Sequence, residues 1–521
     1  CHKSGKTASV YRESMEYFLS FIFAASLLWG CLHAIISRSS TRTSGGIRLP
    51  PGPPPLPIVG NLFQLGRNPH RSLTRLSRIY GPVMSLKLGS ITTVVISSPD
   101  AARQVLHLHD KALSTRSIPD SVRAIDHHLI SVVWLPVDAP WRRIRKLCNM
   151  HLFSPTQLDA GEALRREKLD ELLVFVRDCS VAAQAVDIGL AVFTTVINLL
   201  SNMIFSVDLV GDEIHGPSSR DFKALIGGVT DKAGLLNLGD YFPAVRWMDL
   251  QGARRDTSVY FQGILEVFDG IIGRRLETSA GSPARNDVLG TLLGNISGDD
   301  EDRLSLDDVK HLLLDLFIAG VDTTTNTVEW AMAELIRQPE IMSRARKELN
   351  ESLGDDAPLR DADIRSLPYL QAVVKETLRC HPPAPFLLPH RAESSVQVEG
   401  FTVPKGAQVL VNAWAVGRDP EVWANPERFE PERCLGRAEM EVKERSLGMV
   451  PFGAGRRICP GQPMALRMLP MMLATLIRRF EWKVEGGMEM EMGEQYGLTV
   501  KMDRSLRAVP VEVQRGGVGR R

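Results

Sequence analysis

The sequence predicts one large, mainly α domain with small β-sheets (α+β), carried behind an N-terminal transmembrane anchor. Three observations predict it: an uncharged apolar run near the start, helical spacing through most of the remainder with only short β-branched runs between, and no internal repeat or long low-complexity linker from residue 60 to 515. Length alone leaves the domain count open, since 521 residues would also accommodate several ordinary domains. A content of 44% hydrophobic and 24% charged residues is that of a folded globular protein, and 62 basic residues against 61 acidic ones argue for no nucleic-acid partner. The cysteines, seven in all, are scattered, with no CxxC pair and no dense framework. A reducing compartment follows, with one cysteine free for chemistry.

Residues 17–36 carry no formal charge and match the roughly 20 residues needed to cross a hydrocarbon core of about 30 Å. A cleaved signal peptide would have a shorter apolar core, of about 7 to 15 residues, and a small-residue cleavage site. Met15 is the expected start, which makes residues 1–16 a short extension, upstream of Met15 an artefact. Only Glu16 then precedes the apolar run, while Arg38, Arg42 and Arg48 follow it, and the positive-inside rule places the body in the cytosol. Residues 37–60 form a basic, proline-rich hinge in which fixed proline torsions favour a stiff extended segment. The main domain spans 61–515, and 516–521 is a tail. Within the domain, the β-branched runs at 83–88 and 92–97, split by Gly89 and Ser90, read as a hairpin. Further strands are expected around 387–411 and after Tyr496.

A helix of about 33 residues is expected from Ser305 to Arg337, opened by capping-box spacing between Ser305 and Asp308 and stopped by Gln338 and Pro339. Its middle is apolar nearly all round except for Asp315, the pattern of a helix passing through a core. Gly320 with Thr323 and Thr324 predicts a local distortion there. Near the C-terminus, PFGAGRRICPG at 451–461 is a glycine-rich loop ending in Cys459. Backbone donors in such a loop can surround a sulfur, and a thiolate on haem iron favours O–O cleavage. The five fixed positions of F-x-x-G-x-R-x-C-x-G coincide by chance in a chain this long only about once in ten thousand.

Phe452, Gly455, Arg457, Cys459 and Gly461 resemble the haem-binding signature of the cytochrome P-450 superfamily. The resemblance covers the chain from the anchor onward and implies a cytochrome P-450 fold, with 61–515 a haem-thiolate monooxygenase domain and Cys459 the axial ligand of haem b iron. It implies that Trp141, Arg145, His390 (or Arg391 beside it) and Arg457 reach the haem propionates, since Trp141 and Arg145 share a helix face. Phe452 belongs to the same cofactor-binding set. Glu376 and Arg379 resemble the family's E-x-x-R pair, completed by Arg428 of a P-E-R-F segment, as a structural ion-pair network. Outside that context E-x-x-R says little, because Glu162 with Arg165 and Glu334 with Arg337 fit it too.

Asp322 and Thr323 resemble the family's acid-alcohol pair, a catalytic relay passing protons through water to the dioxygen being reduced. Their presence favours monooxygenation over the family's isomerase and dehydratase branches, and over a haem protein without catalytic activity. The chain is similar to the plant microsomal type, in the group of geraniol hydroxylases and diterpene oxidases, with alkaloid hydroxylases nearby. That likeness implies an endoplasmic reticulum membrane location and electrons from NADPH through a reductase docked at Arg142, Arg143 and Lys146. The implied substrate is a lipophilic terpenoid, with phenolic or alkaloid oxidation as the alternative. Substrate-facing stretches would be 114–137, 202–242, 313–323, 383–388 and 496–499. Phe386, Leu387, Leu388 and Leu498 are apolar there, which suits such a molecule and suits core packing equally well.

Overall fold

The computed structural model describes residues 48–211, 217–279, 287–296, 304–353, 358–436, 448–487 and 490–513, with Ser26, Trp29 and Gly30. The expected extension (1–16), the rest of the anchor (17–36) and the tail (516–521) lie outside the described residues. Eight helices carry the argument: α1 (Pro69–Tyr80), α2 (Ala139–His151), α3 (Ile188–Phe205), α4 (Pro217–Gly234), α5 (Ala253–Ser279), α6 (Leu306–Arg337), α7 (Pro368–Cys380) and α8 (Gln462–Arg478). The strands that matter are β1 (Val83–Leu88), β2 (Ile91–Ile96), β3 (Thr115–Arg116), β4 (His390–Arg391), β5 (Gln408–Val411), β6 (Glu494–Tyr496) and β7 (Val500–Met502). The mainly helical architecture with small sheets is the one expected.

The main sheet runs β1-β2-β5-β4-β3. Gly89 turns the β1–β2 hairpin at φ +53°, a conformation that costs glycine little because it lacks a Cβ. β5 joins β2 in parallel, and the short β3 and β4 extend the sheet by antiparallel pairing that sets Arg116 opposite His390. The proline-rich segment is not a free spacer, because the Ser85 hydroxyl and N–H donate to the Pro50 and Pro51 carbonyls at 2.7 and 2.8 Å. Gly52 lies so close to β1 that a Cβ would meet the Ser85 carbonyl oxygen at 1.8 Å. The chain therefore enters the domain docked against a sheet edge.

α6 is the central helix, and its capping box forms as read: the Ser305 hydroxyl accepts from the Asp308 N–H at 3.0 Å while Asp308 accepts from the Ser305 N–H at 2.7 Å. α3 packs along it. Among the described residues α3 is the one helix long and apolar enough to cross a membrane, but its side chains are buried in the domain core. The distortion expected near Gly320 is corrected by the structure, since α6 runs unbroken for 32 residues. Thr323, Thr324 and Thr327 donate their hydroxyls to the carbonyls four residues back, of Ala319, Gly320 and Thr323, at 2.7, 2.9 and 2.8 Å. The hydroxyls thus share carbonyls with the helix instead of displacing its bonds. Asp315, the polar interruption, accepts from the Ser131 hydroxyl (2.7 Å), the Val132 N–H (2.8 Å) and the His127 ring (3.1 Å). It fastens the segment before α2 onto α6.

Candidate active site

Cys459 sits three residues ahead of Gln462, where α8 begins, at the end of a loop with two glycines in the left-handed region. Gly453 and Gly455 adopt φ +68° and +67°, and a Cβ on Gly455 would strike the Leu106 carbonyl oxygen at 2.1 Å. Arg456 anchors the loop from outside through a 2.7 Å ion pair with Asp110, and the Cys459 N–H closes it on the Phe452 carbonyl at 3.0 Å. The Phe452 ring is half-buried against the main core. Burial pushes the Cys459 thiol up, while the backbone N–H groups of Gly461 and Gln462 and the Arg145 guanidinium pull it down. The two N–H groups are those of a helix N-terminus, turned toward the sulfur.

Beside the loop lies a patch of buried and half-buried cations. Trp141 and Arg145 share one face of α2, as expected. The Trp141 indole donates to the Val132 carbonyl at 2.9 Å, Arg145 donates to the Ile458 carbonyl at 2.6 Å, and the Arg457 guanidinium lies 5.0 Å over the Trp141 ring. Arg457 spreads its remaining donors over the carbonyls of Ser114, Val132 and Leu135. His390 is buried and neutral: burial holds its pKa well below the usual value, its Nδ1–H donates to the Leu113 carbonyl at 2.6 Å, and its Nε2 accepts from Arg116 at 3.1 Å. It thereby orients Arg116, a residue that sequence reasoning missed. Arg391 is exposed.

Arg116, Arg145 and Arg457 make no ion pair with a carboxylate among the described residues, and the buried Arg116 Nε has no partner. Burial, reinforced by Arg457, pushes Arg116 down to about 9; burial and Arg145 push Arg457 down to about 10. Three guanidiniums, Arg116 buried and Arg145 and Arg457 half-buried, with no carboxylate paired to them among the described residues, form a receptor for a dianion. α6 is buried along 311–317 and 325–335, yet Ala319 is exposed and Thr323 partly so. The middle of the core helix therefore borders an internal opening. A cavity of 360 Å³ reaches Arg116 from the side of the main sheet, with Phe386, Leu387 and Leu498 in its wall.

The family model described as cytochrome P450 matches residues 50–505. The chain belongs to the cytochrome P450 family. It is 45% identical over 501 residues to geraniol 8-hydroxylase of Catharanthus roseus, covering 96% of this chain and 99% of that one. Cytochrome P450 76T24 of the same plant is 46% identical over 490 residues, covering 93% and 97%, and cytochrome P450 76AD1 of Beta vulgaris 44% over 501 residues, covering 95% and 97%. As a P450 the protein is an oxidoreductase, a monooxygenase that uses haem iron and takes electrons from a redox partner. The residues present fit that cofactor: a thiol approached by helix N-terminal donors for the iron, and uncompensated cations for the two propionates.

One expected site residue of this P450 is misplaced by its motif. Glu376 and Arg379 on α7 pair in two hydrogen bonds of 2.7 and 2.8 Å with both side chains fully buried. Arg428 does not complete the network, because its side chain is 76% exposed and only its carbonyl takes part, accepting from Arg379 at 2.9 Å. Arg433 does so, with Nε 3.1 Å from Glu376 Oε1. The structure also separates Asp322 from Thr323. The Asp322 carboxyl accepts from the Thr499 hydroxyl, while the Thr323 hydroxyl rests on Ala319.

Proposed function

We propose that this P450 hydroxylates a lipophilic plant specialised metabolite, a terpenoid, using dioxygen and electrons from NADPH delivered by NADPH–cytochrome P450 reductase. The observation that carries the reading is full-length similarity to geraniol 8-hydroxylases, at 45% identity in both Catharanthus roseus and Swertia mussotii. The apolar wall of Phe386, Leu387 and Leu498 is consistent with it. When bound, haem supplies a thiolate-ligated iron at which dioxygen is activated, so that one oxygen atom enters a substrate C–H bond.

The chain's own residues do the rest. Cys459 would provide the thiolate ligand, with Phe452 packed behind its loop, and Arg116, Arg145 and Arg457 would hold the propionates, with the Trp141 ring under Arg457 and His390 behind Arg116. Thr323 and Asp322 would relay protons through water for the reduction of dioxygen. Arg142 and Lys146, exposed on α2, with Arg143 partly so, offer an acidic reductase a cationic dock. An anchor at 17–36 holds the domain on the cytosolic face of the endoplasmic reticulum.

Asp240 favours a second reading, the oxidation of a phenolic or alkaloid amine. Among the described residues it is the one carboxylate lining the cavity, and burial pushes it up to about 6. Assay with a plant reductase, followed by product mass, separates the two: monoterpene alcohols and diterpene hydrocarbons are expected to be oxidised, and turnover confined to phenolic amines would reverse the assignment. For Thr323→Ala we expect NADPH consumption to persist while product falls and hydrogen peroxide rises; tightly coupled turnover would contradict the relay.

A further inference from the structure

Asp322 sits on α6 facing the turn between β6 and β7, and the side chain that meets its carboxyl comes from that turn. Burial pushes the carboxyl up; the Thr499 hydrogen bond and the charges of Lys501 and Lys223 oppose this, and Asp231 adds to it. Lys501 is already engaged by both Asp231 oxygens, at 2.8 and 2.9 Å. Among the described residues Thr499 is thus the one side chain that donates directly to Asp322.

The turn carrying Thr499 is held from two sides. Its Leu498 N–H donates to the Thr230 carbonyl of α4 at 3.0 Å, and the Val500 N–H to the Pro383 carbonyl at 2.8 Å. Gly234, at the end of α4, packs so closely that a Cβ there would lie 2.0 Å from Gly497 C and Leu498 N. Leu498 meanwhile lines the cavity beside Gly234 and Phe386. One short turn therefore touches the substrate space with one residue and the buried carboxyl with the next.

From this geometry we infer that Thr499 is a positioning residue for Asp322, fixing the aim and charge state of the carboxyl through a turn that also senses occupancy of the cavity at Leu498. The inference rests on the proton-relay reading given above. Donation from the hydroxyl favours the ionised carboxylate, so removing it shifts the Asp322 equilibrium toward the neutral acid.

The test uses haem-loaded protein with reductase, each variant first shown to retain its thiolate carbon monoxide band. Thr499→Val keeps the shape and loses the donor, with Thr499→Ala as the substitute should the valine variant fail to fold; Thr499→Ser keeps the donor. Loss of the donor is expected to lower product per NADPH roughly five- to tenfold and raise peroxide. It should also move upward the pH midpoint of the infrared carboxyl band that Asp322→Asn abolishes. Thr499→Ser is expected to restore both. An unchanged midpoint with coupled turnover in Thr499→Val, while Asp322→Asn uncouples, would overturn the role of Thr499 alone. Equal damage in Thr499→Ser would reduce it to packing. Coupled turnover in Asp322→Asn would overturn the relay and this inference with it.

Discussion

Glu376 is wholly buried, and its two oxygens collect Arg379, the Glu430 N–H at 2.9 Å and the approach of Arg433. Arg379 spends its other donors on the carbonyls of Gly417, Pro426 and Arg428. A network of this kind costs much to assemble, and breaking it by removing one partner leaves a buried charge behind, typically at about 3–5 kcal/mol. Arg433→Leu is therefore expected to lower the melting temperature sharply and reduce haem content, whereas Arg428→Ala should stay within about 0.5 kcal/mol of the parent. Comparable losses in the two would contradict the assignment. The sequence holds P-E-R at 426–428 and again at 431–433, and spacing alone does not choose between them. The choice is tertiary: Arg433 lies on the short turn Pro431–Cys434 that packs against α7, while Arg428 points to solvent. Arg116 was illegible for a similar reason, since one arginine in a two-residue strand acquires meaning only when β3 pairs with β4.

At the scale of elements, local chemistry made most of the fold readable. The turn at Gly89 and Ser90, the capping box at Ser305 and the glycines before Cys459 are signals contained within a few residues, and each formed where it was expected. The sequence suggests strands only after Tyr496, whereas β6 ends there. What holds it depends on residues hundreds of positions away: Glu494 on β6 accepts from Arg71 and His70 of α1 at 2.7 and 3.1 Å. Burial would raise the Glu494 carboxyl, but the hydrogen bonds from His70 and Arg71 prevail and hold it far below the usual range. A carboxyl depressed in this way stabilises the fold fully above the unfolded pKa of about 4.3, and loses that contribution as pH falls below it toward the folded value. Glu494→Gln is thus expected to lower unfolding stability by about 2 kcal/mol at pH 7, a difference that shrinks progressively as pH falls below about 4. A deficit independent of pH would point to packing instead of charge.

Across the whole molecule, the helical body presents two surfaces: the Cys459 loop at the start of α8, flanked by buried and half-buried cations, and the middle of α6, where Ala319 is exposed and Thr323 partly so within an otherwise buried helix. The sheet, Pro385, Phe386 and Leu387, and the β6–β7 turn line the cavity. Because the proline-rich entry is docked on β1, the domain is expected to survive loss of everything before residue 48. Deleting residues 1–47 should release the protein from microsomes with its haem retained; persistent membrane attachment would assign membrane binding to the body itself. Cys459 is expected to deliver a thiolate to haem iron within this frame, and the reduced carbon monoxide spectrum reads that bond directly. Purified full-length protein is predicted to give the red-shifted Soret band of thiolate ligation, and Cys459→Ala to lose it. A folded, haem-loaded protein without that band, or a Cys459→Ala variant that keeps it, would contradict the account.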